Sequence, residues 1–264
     1  MSASALLQPI RLWRLLVRQD LAARYRGTLL GRAWPVLMPL AMLAAYGFVF
    51  GTVFRARWPG LAEGDHVGFT LNLFAGLLLH SLMAESAGVA PDVMLRNSNF
   101  VRKVVFPLPA LVAVPLGTAT VHALVALGLL AVANAVIGTG LFPSLLAVPL
   151  VLLPYLALLY GVALALAAFG VYVRDLSQIT SVLIMLVLFT ATVFFPRSMV
   201  PPAVAGIVDV NPLTWPVENL RGAMLLGHWP DPASYARYSM AALVVLVLGW
   251  TCFRHLRRGF ADVL

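Results

Sequence analysis

Residues Arg24 to Phe54 read RYRGTLLGRAWPVLMPLAMLAAYGFVFGTVF, and between Arg32 and Arg55 they hold 22 residues without a charge. Wound as a helix, that run reaches about 33 Å, enough to cross a hydrocarbon core of about 30 Å. It reads as a first membrane span, near 33–54. Trp34, Met38, Met42, Tyr46, Phe50 and Phe54 recur at every fourth position, which gathers their side chains into a slowly drifting stripe. Such a stripe can pack on neighbouring helices or lipid, with Trp and Tyr as interface anchors. That is the commoner use of such a stripe; the sharper reading is a pore wall, because aromatic rings offer flat faces on which sugar rings slide. Periodicity alone does not choose.

The chain around this stretch has 264 residues, 61% hydrophobic and only 11% charged, against about 25% charged in soluble domains. This is the composition of an integral membrane protein. The first apolar run is too long for a signal-peptide core and is not followed by a small-residue cleavage pattern, so the start is expected to be retained. Cys252 is the only cysteine and cannot form an intrachain disulfide. The net charge of +8 would point to nucleic acid in a soluble protein. Here the basic residues crowd the ends of apolar runs, where they set topology and meet anionic headgroups, so no nucleic-acid partner is expected.

Upstream of the span, residues 9–26 place Trp13, Val17 and Leu21 at helical spacing, with Arg11, Arg14 and Arg18 on another face and Pro9 as the helix opener. An amphipathic interface helix is expected, serving as membrane anchor or docking element. Downstream, a second span falls near 67–88. Glu85 sits near its end, where a structural contact with headgroups or Arg96 is expected. The link Pro91 to Pro109 holds Arg96, Arg102 and Lys103 around Asn97, Ser98 and Asn99, with Ser98 or Asn99 as N-cap of a short helix. From Val104 to Val173 no charge occurs, and a turn at 134–143 divides this run into spans near 109–133 and 144–170. His122, inside the first of them, reads as a helix-to-helix hydrogen-bonding residue.

Arg174 and Asp175 precede a fifth span near 179–195. The segment 197–236 then turns proline-rich, and its short apolar pieces around Asn211 and Pro212 suit re-entrant or interfacial helices with ends satisfied by protein or water. A last span near 237–254 completes an all-α membrane fold of six transmembrane helices in one domain, 1–264. Thirteen of the 18 basic residues then fall on the side of the termini, which places both termini in the cytoplasm. Lys103 lies in no glycine-rich phosphate loop, the five histidines are dispersed, and no paired carboxylates lie within the spans. An ATP site, a metal site and an intramembrane catalytic or proton-coupling centre are therefore not expected in this chain. A membrane-embedded enzyme would need convergent acids or histidines, which this chain lacks.

Five stretches resemble, in order, the membrane subunits of ABC-2 type exporters, and within them the permeases for O-antigen, teichoic acid and related polysaccharides. RYRGTLLGRAWPVLMPL is similar to that family's basic-tyrosine opening, RNSNFVRKVVFP (96–107) to its link between spans two and three, and VRDLSQI (173–179) to its charged turn before span five. NPLTWPVENLRGAMLLGHWP (211–230) and the tail FADVL complete the set.

The resemblance implies a homodimer joined to two ATP-binding subunits, which carry the ATP and Mg, while this chain needs no cofactor and is not itself an enzyme. It implies a central channel for a lipid-linked glycan, lined by spans one and five, with Trp34, Met42, Tyr46, Phe50, Phe54, Phe189, Phe194 and Phe195 as candidate lining residues. Contact with the ATPase is expected from Arg11, Arg14, Arg18, Asn97, Ser98, Asn99, Phe100, Arg102 and Lys103. An outward gate is expected over Pro202 to Leu226, with Asn211, Pro212, Trp215, Glu218 and Arg221. The alternative within the same plan is an exporter of lipids or drugs.

Overall fold

The computed structural model describes residues 3–54, 58, 65–103 and 107–263, and these residues hold helices and no strand. Helix α1 (Ala3–Tyr25) leads through a turn with left-handed Gly27 into α2 (Trp34–Tyr46), which continues as wider π-helical turns over Gly47–Val53. Then follow α3 (His66–Val89), the short α4 (Val93–Arg96) and α5 (Ser98–Lys103), and the long α6 (Leu108–Ile137) and α7 (Val148–Gly170). The chain closes with α8 (Leu176–Thr190), α9 (Pro202–Val210), α10 (Thr214–Arg221), α11 (Pro232–Leu256) and α12 (Phe260–Val263).

Helix α1 starts six residues earlier than the sequence suggested, so Pro9 lies inside it. Ala3, Ala5, Leu6 and Leu7 are strong helix formers, and a proline in the second turn removes only one hydrogen bond. The starts of α3 and α11 follow N-cap rules directly. Asp65 accepts from the Gly68 N–H at 2.7 Å, and Asp231 accepts from the Ser234 N–H at 2.8 Å ahead of Pro232.

Among the described residues, five helical segments are long and apolar enough to cross a membrane: Trp34–Val53, His66–Arg96, Leu108–Ile137, Pro143–Gly170 and Pro232–Gly259. The expected fifth span behaves differently. Helix α8 has 15 residues, about 22 Å, and ends at Thr190, because Ala191 turns to extended backbone. Phe194 and Phe195 therefore lie beyond the helix, in the turn that leads to α9.

Helix α3 is the central post, with every residue from Phe69 to Leu79 buried, and it contacts α2, α6, α7, α8 and α10. Tyr155 of α7, fully buried, donates its hydroxyl to the Leu79 carbonyl at 3.0 Å. In lipid the hydrophobic effect no longer separates packed from unpacked helices, so close van der Waals contact and interhelical hydrogen bonds must hold the bundle. Helices α7 and α11 show the closest approach. A side chain on Gly161 would meet the backbone of Val245 and Leu246 at 2.6 Å, and one on Gly249 would collide with the Gly161 backbone. By contrast α2 has no buried residue over Trp34–Tyr46, and α8 has only Thr180.

Replacing Gly249 by Val is expected to destabilise the bundle by about 1–3 kcal/mol, since backbone rather than a flexible side chain occupies the space. Thermal unfolding of the purified protein, followed by size-exclusion fluorescence, should show a lowered midpoint. An unchanged midpoint would disprove the tight α7–α11 crossing.

Candidate functional site

Three places concentrate polar groups that an apolar bundle has to explain. The first joins α1 to the spans. Trp13 and Val17 of α1 fit against Gly117 of α6, where any side chain would meet them at 2.7 Å, and the Trp13 indole donates to the Ala113 carbonyl at 2.9 Å. Two turns further on, Asp20 accepts from Thr118 at 2.8 Å and from Arg24 at 3.0 Å. Arg24 also pairs with Glu85 of α3 at 2.5 Å.

His122 of α6 lies between Glu85, 2.9 Å from its Nδ1, and the Tyr25 hydroxyl, 2.9 Å from its Nε2. Burial and then the Glu85 charge raise the Tyr25 phenol above its ordinary value, so it keeps its proton. A phenol that donates to Nε2 leaves the imidazole proton on Nδ1, directed at Glu85. His122 is thus the interhelical hydrogen-bonding residue its sequence position indicated. Glu85 is structural too, but its cation is Arg24, while Arg96 pairs one turn back with Asp92 at 3.1 Å. Basic residues near Glu85 in sequence were the wrong place to look, because the turn at Gly27 carries α1 back alongside α6.

Beside this cluster the stripe on α2 faces inward. Trp34, Met38, Met42 and Tyr46 line a cavity of about 330 Å3 whose other walls include Phe74, Leu78, His122 and Ala126. Phe50 stacks on Phe69 of α3, centroids 5.8 Å apart, while Phe54 stands exposed. The wide turns there set Gly47 and Gly51 against Thr70 and His66, which brings α2 close to α3. On α8 Phe189 is exposed and stacks with Phe194 at 5.7 Å.

The second place is the segment between α8 and α11. Arg221 is 2% exposed, yet it carries a full charge among apolar neighbours. Its guanidinium donates to the Asn72 carbonyl at 2.8 Å, the Thr192 carbonyl at 2.5 Å and the Val193 carbonyl at 2.7 Å. The Trp58 ring lies 4.5 Å away on one face, and Glu218 is 3.5 Å from Nη1. Asn211 caps the end of α8, donating at 2.9 Å to both the Val187 carbonyl and the Thr190 hydroxyl, and it accepts from the Leu213 N–H. Pro212 offers its carbonyl to the Tyr238 hydroxyl at 2.8 Å, and the Tyr238 ring stacks on Trp215 at 4.5 Å.

The last carbonyls of this segment are also answered. Ser144 donates to Ala223 at 2.7 Å, Asn134 to Met224 at 3.0 Å and Thr139 to Leu225 at 3.1 Å. Sequence reasoning saw 134–143 only as a turn and missed these three caps. Their signal was three small polar residues at five-residue spacing, Asn134, Thr139 and Ser144, at the rim of two apolar helices. At the surface, Arg197 and Asp209 form a two-pronged pair at 2.5 and 2.7 Å that fixes α9 to the preceding turn.

The third place is the link α4–α5. Asn97 ends α4 and donates to the Val93 carbonyl at 2.8 Å, so it is a C-terminal cap here. Ser98 begins α5, with Asn99 and Phe100 exposed on it. The side chains of Arg102 and Lys103 lie outside the described residues. Arg11, Arg14 and Arg18 are exposed on α1.

Removing the Arg221 charge should be among the most damaging single changes. Arg221→Met is expected to cost about 3 kcal/mol or more, because each buried carbonyl left without a donor costs about 1–3 kcal/mol. Arg221→Lys should recover only part, since a compact ammonium lacks the planar fork whose Nε, Nη1 and Nη2 reach three separated carbonyls. Membrane yield and thermal midpoint would read both. A second outcome concerns acid. The Arg197 hydrogen bond holds the Asp209 carboxyl below its ordinary value. The pair therefore stabilises the fold at every pH above the usual aspartate range of about 4 and is lost only as pH falls through the lowered value. The melting difference between wild type and Arg197→Gln should stay constant from neutral to mildly acid pH and close below it.

The model of the ABC-2 type transporter family matches residues 11–225. The chain is 25% identical over 256 residues to the O-antigen export system permease protein RfbA of Klebsiella pneumoniae, covering 95% of this chain and 93% of the relative. It is 26% identical over 249 residues to the permease of the same name from Myxococcus xanthus, covering 94% and 93%. The family match begins within α1 and runs to the end of the capped segment before α11, most of the chain, and the chain belongs to the ABC-2 type transporter family.

Proposed function

We propose that this chain is the membrane permease of an ATP-driven exporter that moves a lipid-linked polysaccharide across a bacterial inner membrane. The observation that carries the reading is collinear similarity, over 95% of the chain, to permeases named for O-antigen export. ATP binds and is hydrolysed on two separate ABC ATPase subunits, and two copies of this chain form the channel.

In this reading both termini are cytoplasmic. The link α4–α5 and the exposed Arg11 and Arg14 receive the ATPase. Helix α8 is too short to cross alone, and the turn 191–195 completes it as the fifth crossing, while α9 and α10 form the outward gate. The bare faces of α2 and α8 support a seam between two copies, with Phe54 and Phe189 standing exposed on it. Trp34, Met42, Tyr46, Phe50 and Phe194 form the wall behind, and closure of the ATPases pushes the link and parts the seam. The rival cargo is a lipid or drug without sugar.

Reconstitution with the cognate ATPase into vesicles should give ATP-dependent transfer of a polyprenyl-diphosphate-linked glycan. Phe54→Ala and Phe189→Ala should each slow it about two- to tenfold, the worth of one aromatic contact, with ATPase assembly unchanged. An assembled complex that moves glycan-free lipid but no glycan would transfer the assignment to the rival cargo.

A further inference from the structure

On the other flank of the α1–α2 turn lies a groove of about 850 Å3 that the export reading does not use. Its floor is aliphatic, formed by Leu21 of α1, Val36 of α2 and Val121 and Val125 of α6, while Arg18 and Arg26 form its rim. Val36 and Val121 are exposed, so the floor is open to whatever surrounds the bundle.

The three arginines of this stretch differ sharply. Arg24 is paired with Asp20 and Glu85. Arg18 and Arg26 are both exposed, and among the described residues neither meets a carboxylate. They stand eight residues apart in sequence, about two helical turns or 12 Å along the chain axis, within reach of one headgroup by their flexible stems.

Two cations without a carboxylate partner, on the interface helix and the turn after it, above an aliphatic floor open to the surroundings of the bundle, match one chemistry. We propose that this groove binds an anionic phospholipid, its phosphate between Arg18 and Arg26 and an acyl chain along Val36, Val121 and Val125. A phospholipid fits better than the exporter's own cargo because no residue of α8 lines the groove, so it lies off the seam between α2 and α8. Bound there, the lipid bridges α1 to α2 and α6 and holds the docked helix against the bundle. Arg18 then serves the lipid, which leaves the ATPase contact on α1 to Arg11 and Arg14. The site rests on the membrane placement of the family and not on glycan export, so binding is read without transport and stands or falls independently of the cargo.

Native mass spectrometry of the full chain in nonionic detergent tests it, with phosphatidylglycerol and phosphatidylcholine as probes. Phosphatidylglycerol should be retained selectively. Arg18→Gln and Arg26→Gln should each weaken retention about fivefold, the worth of one surface arginine, while Arg11→Gln and Arg14→Gln should leave it unchanged. Val121→Trp, which fills the floor without touching the charge, should also release the lipid. Retention that survives the Arg18→Gln/Arg26→Gln double variant or Val121→Trp would overturn the site. Equal losses in the Arg11 and Arg14 variants would reduce it to diffuse charge. Displacement by a polyprenyl diphosphate at lower concentration than phosphatidylglycerol would give the groove to the cargo instead.

Discussion

A guanidinium ion taken out of water loses a hydration shell whose absence costs several kcal/mol, unless protein groups replace it. Arg221 satisfies that constraint with carbonyls that helices leave free. Thr192 and Val193 follow the end of α8, and Asn72 contributes from the central post α3. Gly76 leaves room for the guanidinium, since a side chain there would lie 3.0 Å from it. One cation therefore fixes the end of α8, the middle of α3 and the end of α10 relative to each other. Without it, the short α8 would end in a turn whose carbonyls have no donor.

The rest of the α8–α11 segment follows from the same rule. Irregular backbone is tolerated at membrane depth only where its polar groups find protein partners. Asn211, Ser144, Asn134 and Thr139 supply them from three different elements. At the other polar centre the solution is a charge network rather than a set of caps. Asp20, Arg24, Glu85, His122 and Tyr25 are hydrogen-bonded to one another across α1, α3 and α6, with Arg24 shared between the two carboxylates. One network holds the segment before the last helix and the other holds the first helix. The faces of α2 and α8 between them are left bare.

Most of the helices were legible in the sequence because charge-free runs of membrane length have few other readings. The exception is instructive. Residues 179–195 look like one apolar span, but the break at Ala191 comes from the Asn211 and Arg221 caps, which lie 20 and 30 residues further on. The stripe on α2 was visible at four-residue spacing, yet its direction was not. The wide turns at Gly47 and Gly51 set the rotation of α2 against α3, and an all-α wheel does not encode them. Arg221 was picked out as a gate residue from its neighbours in sequence, while its burial depends on Asn72, 149 positions away. Glu85 and His122 each carried a correct structural reading, but the cation that pairs with Glu85 arrives through the tertiary path of α1.

The glycine crossing of α7 and α11 also bears on how the protein is made. Gly161 is synthesised 88 residues before Gly249, and the two backbones meet only when the last helix has entered the bilayer. Until then α7 presents an open notch to lipid or to the insertion machinery, and its small residues have no ridge to receive. The final helix therefore acts as the closing step of assembly. A chain interrupted before residue 232 would leave that notch unfilled, marking the product for quality control even though every earlier helix had inserted.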